Sequence, residues 1–231
     1  MAQKSKTASS KDQAKSQPKS KSRKMTGAEM VLQALKDNNV DKIFGYPGGA
    51  VLPIYDEIFQ QDDVEHILVR HEQGAGFMAD GYYRATGKVA ACFIITGPGM
   101  TNIATAMGQA YGDSIPMIVI SSVNAEAHIG RGLGHLHEMP NQTGTIAGVA
   151  AWSRQVRDAA ELAAALDDAM DLFASARPRP VHIQIPIDRL SMDAGDIPAP
   201  RARATPPAVS DDVIADIAAQ LNGAQHPVII A

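Results

Sequence analysis

The chain has 231 residues, of which 45% are hydrophobic and 20% charged, with 19 Gly and 14 Pro; this is a globular composition of one- to two-domain length. It excludes a collagen-like chain and a chain disordered throughout, and the single cysteine, Cys92, cannot form a disulfide within the chain. No apolar run reaches the roughly 18 to 20 residues of a membrane span, so the expectation is a cytoplasmic protein with no membrane partner.

The formal charge of -4 is unevenly spread. Residues 1–24 hold eight Lys and Arg against one acidic residue, which leaves 13 basic and 24 acidic residues for the body. An acidic body suits no nucleic acid, because phosphate affinity comes from clustered basic side chains. The tail lacks apolar residues at helical spacing and reads as a disordered, solubilising segment. It has neither the apolar centre of a secretory signal nor the amphipathicity of a transit peptide.

Thr26 with Glu29 three residues on predicts a capping box, and Met30, Val31 and Leu35 then recur at helical spacing as far as Asn38 and Asn39. Lys42 to Gly45 (KIFG) predicts a short buried strand, broken at Pro47-Gly48-Gly49 before a helical pattern from Val51 to Phe59. Glu65 to Val69 predicts the next strand, 72 to 86 a helix, and Val89 to Thr96 a strand. The turn Gly97-Pro98-Gly99 leads into a helix over 101 to 111 and a strand over Ile115 to Ser121. From Ser122 to about Gly148 the pattern weakens into a Gly- and His-containing loop, and loops of that length are usually functional or mobile. A helix from Asp158 to Ala176 and the strand Val181 to Pro186 bring the total to about six strands. Alternation of helices with continuously apolar strands predicts an α/β fold, three layers α/β/α around a six-stranded, mainly parallel sheet. Residues 191–208, with their prolines and small residues, read as a linker, followed by a helix over 210 to 222 and a strand over Pro227 to Ala231. A lone helix and strand cannot bury a core, so the expectation is a chain cut short inside a second domain.

Strand carboxyl ends of a parallel sheet share one rim, where ligands bind. The Gly-rich turns at 45–49, 74–76 and 97–99 all fall there, and none matches a dinucleotide fingerprint or a phosphate loop. Glu72 stands at the same rim, at the start of a helix whose free N–H groups and dipole stabilise a carboxylate. Position alone leaves two readings open: a helix-capping acid, or a proton-handling carboxylate facing a ligand. Cys92, inside an apolar strand, reads as a core residue. His66, His71, His128, His182 and His226 read as structural.

The stretches GYPGGAVLPIYDEI, RHEQGAGFMADGYYRATGKV, TGPGMTNIATAMGQAYGDSIPMIVIS and RPRPVHIQIPID, in this order, resemble the amino-terminal pyrimidine-binding domain of thiamine-diphosphate enzymes, above all acetolactate synthase and its decarboxylase relatives. The resemblance runs from about residue 25 to 231. It implies a pyrimidine-binding domain over 25–190 and an incomplete middle domain over 209–231, with the tail at 1–24 and the linker at 191–208. It implies thiamine diphosphate as cofactor and Glu72 as the catalytic residue, a carboxyl at N1′ of the aminopyrimidine favouring the tautomer that takes the thiazolium proton. Pro47, Gly48, Thr96, Gly97 and Asn102 match positions lining the pyrimidine pocket.

Within the loop HIGRGLGHLHEMPNQT, His137 stands where the synthases carry a glutamine before a Glu, here Glu138. An imidazole there suits decarboxylation, as in the branch that decarboxylates a guanidino-substituted 2-oxo acid, and His137 is the candidate substrate residue. Polar loop decoration is the plain alternative for His135, His137 and Glu138. No metal site is expected in the chain itself, since Mg²⁺ and the diphosphate belong to a carboxyl-terminal domain that it lacks. FAD is left open because flavin contacts lie in the middle domain. The implied activity is acetolactate-type 2-oxo acid carboligation and decarboxylation. The alternatives are a guanidino 2-oxo acid decarboxylase and a catalytically incomplete cofactor-binding or dimerisation module. The implied partners are a 2-oxo acid and a second copy in a homodimer or higher oligomer, or a separate chain carrying the carboxyl-terminal domain.

Overall fold

A computed structural model describes residues 24–206 and 208–230. The reading of the tail, apart from Lys24, lies outside them. In chain order the elements are β1 (Met25–Thr26), α1 (Gly27–Asp37), β2 (Lys42–Gly45), α2 (Leu52–Phe59), β3 (Glu65–Leu68), α3 (Glu72–Thr86), β4 (Ala91–Ile94) and α4 (Pro98–Asp113). They continue with β5 (Ile118–Val123), α5 (Gln142–Ile146), β6 (Trp152–Gln155), α6 (Ala159–Ser175), β7 (Val181–Pro186), α7 (Ile187–Leu190), β8 (Asp193–Gly195) and α8 (Asp211–Gly223).

Local chemistry accounts for most boundaries. At α1 the capping box is closed both ways: Glu29 N donates to Thr26 Oγ1 at 3.2 Å and Thr26 N to Glu29 Oε2 at 2.7 Å. Asp158 caps α6 by accepting from Glu161 N at 2.8 Å. Pro98 opens α4, where its missing N–H costs nothing, so the turn expected at 97–99 is already the first helical turn. Pro116 cannot donate to a ladder, and β5 accordingly starts at Ile118 rather than at Ile115.

Six strands form one parallel sheet in the order β3-β2-β4-β5-β7-β6. The sixth, β6, falls in a stretch the apolar pattern left unassigned; as an edge strand it carries Ser153 and Arg154 and pairs with β7 alone. Alternate strand residues feed two cores. Ile43, Phe93, Ile118, Ile120 and Ile183 pack with Val31 and Leu35 of α1 and Leu162 and Leu166 of α6. On the other face Phe44, Cys92, Ile94 and Val119 pack with Ala75 and Ala79 of α3 and Met100, Ile103 and Met107 of α4. This is the expected three-layer α/β/α arrangement, with both faces of the sheet buried. Cys92 donates to Ala75 O at 3.6 Å, and burial pushes its thiol pKa well above the usual range, as suits a core residue.

Beyond the sheet, β8 pairs antiparallel with β1, and Arg201 and Arg203 reach back to Asp167 of α6 at 3.3 and 3.2 Å. In α8, Val213, Ile214, Ile217 and Leu221 are all exposed. Residues 227–230 form no strand: a strand needs a partner ladder, and none is adjacent among the described residues.

Helices α3 and α4 approach each other closely, and a Cβ on Gly76 would lie 2.5 Å from Ala106 Cβ and 3.1 Å from Ile103 Cγ1. At Gly81, on the same helix, a Cβ would meet nothing within 4 Å. Urea unfolding should therefore find Gly76→Ala less stable than Gly81→Ala by about 1–3 kcal/mol, the usual cost of overpacking.

Candidate functional site

The strand order contains a switch point. From β2 the chain moves outward to β3, then crosses back to β4 on the other side of β2. Loops that leave neighbouring strands in opposite directions open a crevice at the carboxyl rim. Gly48 follows β2, and Thr96 and Gly97 follow β4. The two loops touch, since a Cβ on Gly48 would stand 2.3 Å from Ile95 Cδ1. Pro47, beside Gly48, is exposed.

Glu72 is the first residue of α3, whose N-cap is His71: Nδ1 accepts from Gln73 N at 3.1 Å. The side chain is buried, and Oε2 accepts from Asn102 Nδ2 of α4 at 2.8 Å, a partner 30 residues away in the chain. Oε1 lies 3.3 Å from where a Cβ of Gly99 would be, and among the described residues it accepts no hydrogen bond. A buried carboxylate with one oxygen held and one free is a directed acceptor, suited to gripping a ring N–H or O–H of a ligand.

Thr96, Gly97 and His137 meet on the other side of the rim. Gly97 has φ 67°, a backbone that an L side chain rarely adopts, and the place of its Cβ is taken by the His137 carbonyl, 2.3 Å away. His137 also has positive φ, 59°, which is strained for a residue with a side chain. Its Nδ1 is buried without a hydrogen-bond partner. A cavity of about 350 Å³ opens here, lined among others by Ala50, Ile95, Asn124, His128, Leu136 and His137. His128, read from the sequence as structural, stacks its ring on that of His135 at 4.4 Å in the cavity wall.

Residues 25–145 match the family described as "Thiamine pyrophosphate enzyme, N-terminal TPP binding domain". The chain belongs to that family. The chain is 44% identical over 209 residues to the probable 2-ketoarginine decarboxylase of Pseudomonas aeruginosa, covering 90% of this chain and 37% of that protein. It is 37% identical over 209 residues to the acetolactate synthase isozyme 1 large subunit of Escherichia coli, again 90% and 37%. It is 35% identical over 210 residues to the acetolactate synthase large subunit of Lactococcus lactis, 89% and 36%. The chain thus spans somewhat over a third of the length of these relatives.

The span matched to the thiamine pyrophosphate enzymes contains every candidate residue named from the sequence. It also contains one that sequence reasoning missed, Gln142, the first residue of α5. Its Oε1 accepts from Thr96 Oγ1 and from Gly97 N, both at 2.8 Å. Its Nε2 faces Ser121 Oγ at 3.0 Å, Ser122 O at 3.1 Å and Gln184 Oε1 at 3.0 Å. One buried amide therefore ties the Thr96–Gly97 turn to β5 and β7. From Ser121 the network runs to His182 Nε2 at 2.8 Å, and from His182 Nδ1 to Ser153 Oγ at 2.7 Å. A Gln beside a polar loop carries no local signal of this role. Among the described residues no group of three or more His, Cys, Asp or Glu side chains is placed to hold a metal ion, and no helix is long and apolar enough to cross a membrane.

Burial in the sheet drives His182 down from 6.5 to about 3. The unfolded chain therefore binds a proton that the folded one refuses. His182 costs nothing above pH 6.5, and stability falls as the pH drops from there toward 3, by up to about 1.4 kcal/mol per pH unit. Denaturant midpoints between pH 7 and 4 should show this slope in the wild type and a shallower one in His182→Gln.

Proposed function

We propose that the chain is the pyrimidine-binding part of a thiamine-diphosphate-dependent 2-oxo acid carboligase or decarboxylase of the acetolactate synthase type. The observation that carries this reading is the Glu72 carboxylate, buried at the amino end of α3 on the carboxyl rim, with Asn102 holding one oxygen and the other without a hydrogen bond among the described residues. The donor set suits the cofactor's aminopyrimidine. Glu72 Oε1 would accept a hydrogen bond from a protonated ring nitrogen, and Asn102 keeps the carboxylate from turning away. Gly48 and Gly97, pressed against Ile95 and His137, let the rim loops pack without a side chain between them, and would leave backbone open to the pyrimidine. When bound, thiamine diphosphate supplies the carbanion chemistry on the 2-oxo carbonyl; this chain orients the pyrimidine, shields it from water and holds a proton at N1′.

Mg²⁺ and the diphosphate would be held by residues outside this sequence, in a carboxyl-terminal domain of the same or another chain, and FAD, if used, by the middle domain. We also propose that a second copy completes the site, so that Glu72 of one chain serves cofactor anchored by another. The domain limits proposed are 25–190 for the pyrimidine-binding unit, 191–208 for a connecting segment and 209–231 for the start of the next domain.

A second reading, decarboxylation of a guanidino-substituted 2-oxo acid, is favoured by His137. His137 lines the cavity beside the rim, and its Nδ1 is buried without a hydrogen-bond partner; an imidazole there would deliver a proton to the decarboxylated product. The similarity to a probable 2-ketoarginine decarboxylase supports the same reading.

Both readings are tested by mixing this chain with a separately expressed carboxyl-terminal part of a relative, thiamine diphosphate and Mg²⁺, and following consumption of pyruvate and of 5-guanidino-2-oxopentanoate. Glu72→Gln should lower turnover on the order of 10²- to 10⁴-fold, the range for a lost acid–base group; an unchanged rate would refute the catalytic role. The preferred oxo acid decides between the two readings.

A further inference from the structure

The loop that carries His137 has an anchor of its own. Both oxygens of Glu138 are taken up by peptide N–H groups of four consecutive residues: Gly132 N at 2.7 Å and Leu133 N at 3.3 Å on Oε1, Gly134 N at 2.8 Å and His135 N at 3.2 Å on Oε2. Successive N–H groups point into one concavity only if the backbone alternates in hand, and here Gly132 and Gly134 have φ 64° and 75°. Such a concavity binds anions, and in this chain the anion is supplied from three residues further along. Glu138 N also donates to His135 O at 3.0 Å, closing the turn. His137 sits inside the closed turn, with its strained backbone and its carbonyl against Gly97.

The geometry points to Glu138 as a positioning residue: its carboxylate locks the 132–135 backbone and so holds His137 against Gly97 at the crevice. The inference rests on the proposed cofactor site for its bearing on turnover, but not for the loop geometry. The same N–H groups hold the Glu138 pKa below its ordinary value despite the loss of some solvent around it. The loop is exposed, so water can replace the carboxylate when it is removed. Loss of Glu138 should therefore cost local order rather than the stability of the sheet.

The test uses the full chain with Glu138→Ala and Glu138→Gln. Glutamine keeps one acceptor oxygen and turns its NH₂ toward the other pair of donors. Hydrogen exchange should speed up at the amides of 132–135 on the order of tenfold in the alanine variant and less in the glutamine variant, with the thermal transition unchanged. Trypsin should cut after the exposed Arg131 faster in the same order. In the mixed assembly, kcat for the 2-oxo acid should fall on the order of tenfold while thiamine diphosphate binding stays as in the wild type. Unchanged exchange in Glu138→Ala overturns the anchor. Faster exchange with unchanged kcat overturns the positioning role. If Glu72→Gln keeps its rate, the proposed function fails instead, and the exchange result still decides whether Glu138 locks the loop.

Discussion

All six strands of the main sheet run in the same direction, and the rest of the molecule follows from that. Parallel neighbours cannot be joined by tight turns, so each connection crosses over one face, and the crossovers cover both faces with helices. The strand interiors are thereby sealed, and every carboxyl end opens on a single rim. Because the chain runs outward from β2 to β3 before crossing to β4, the connections after β2 and β4 leave that rim in opposite directions although their loops touch. The groups able to do chemistry gather there. Glu72 arrives at the head of α3, Asn102 on α4, and Thr96 and Gly97 at the end of β4.

The two sides of the crevice are held by different means. On the β4 side the Thr96–Gly97 turn is fixed from below by the buried amide of Gln142, in a network that passes through Ser121 and His182 to Ser153. Buried polar groups destabilise unless all are partnered, and a fully partnered network allows one arrangement. On the β5 side, residues 124–141 form a loop held by surface interactions: Glu126 to Arg157 and Arg189, Glu138 to its ring of N–H groups, and His128 stacked on His135. Such contacts open at low free energy compared with the core. The carboxylate is thus mounted on rigid elements and the imidazole on a lockable loop, which suits the proposed role of holding a cofactor still while admitting a substrate.

Much of this was legible in the chain. The strands Lys42–Gly45 and Val181–Pro186 and the helix Glu72–Thr86 have the bounds that apolar runs, capping residues and glycine stops suggest. Where the reading slipped, a neighbour was responsible. Pro116 shortens β5 because it cannot join the ladder to β4. The edge strand β6 carries polar residues because only one of its sides pairs with another strand, so its alternation is weak. Residues 227–230 are apolar enough for a strand and form none, since propensity does not supply a partner.

The sequence by itself determined the alternation of helix and strand, the class of fold, and the place of Glu72 in the first turn of a helix. These depend on periodicity, capping and backbone preference, which act over a few residues and are written in residue type; the family was legible separately, through the resemblance of its motifs. Tertiary structure alone decided that Asn102 would hold Glu72, that the carbonyl of His137 would fill the space beside Gly97, and that Gln142 would bind two strands and a turn. Those contacts join residues 20 to 46 positions apart. They depend on the order and register of the crossovers, which no local pattern encodes.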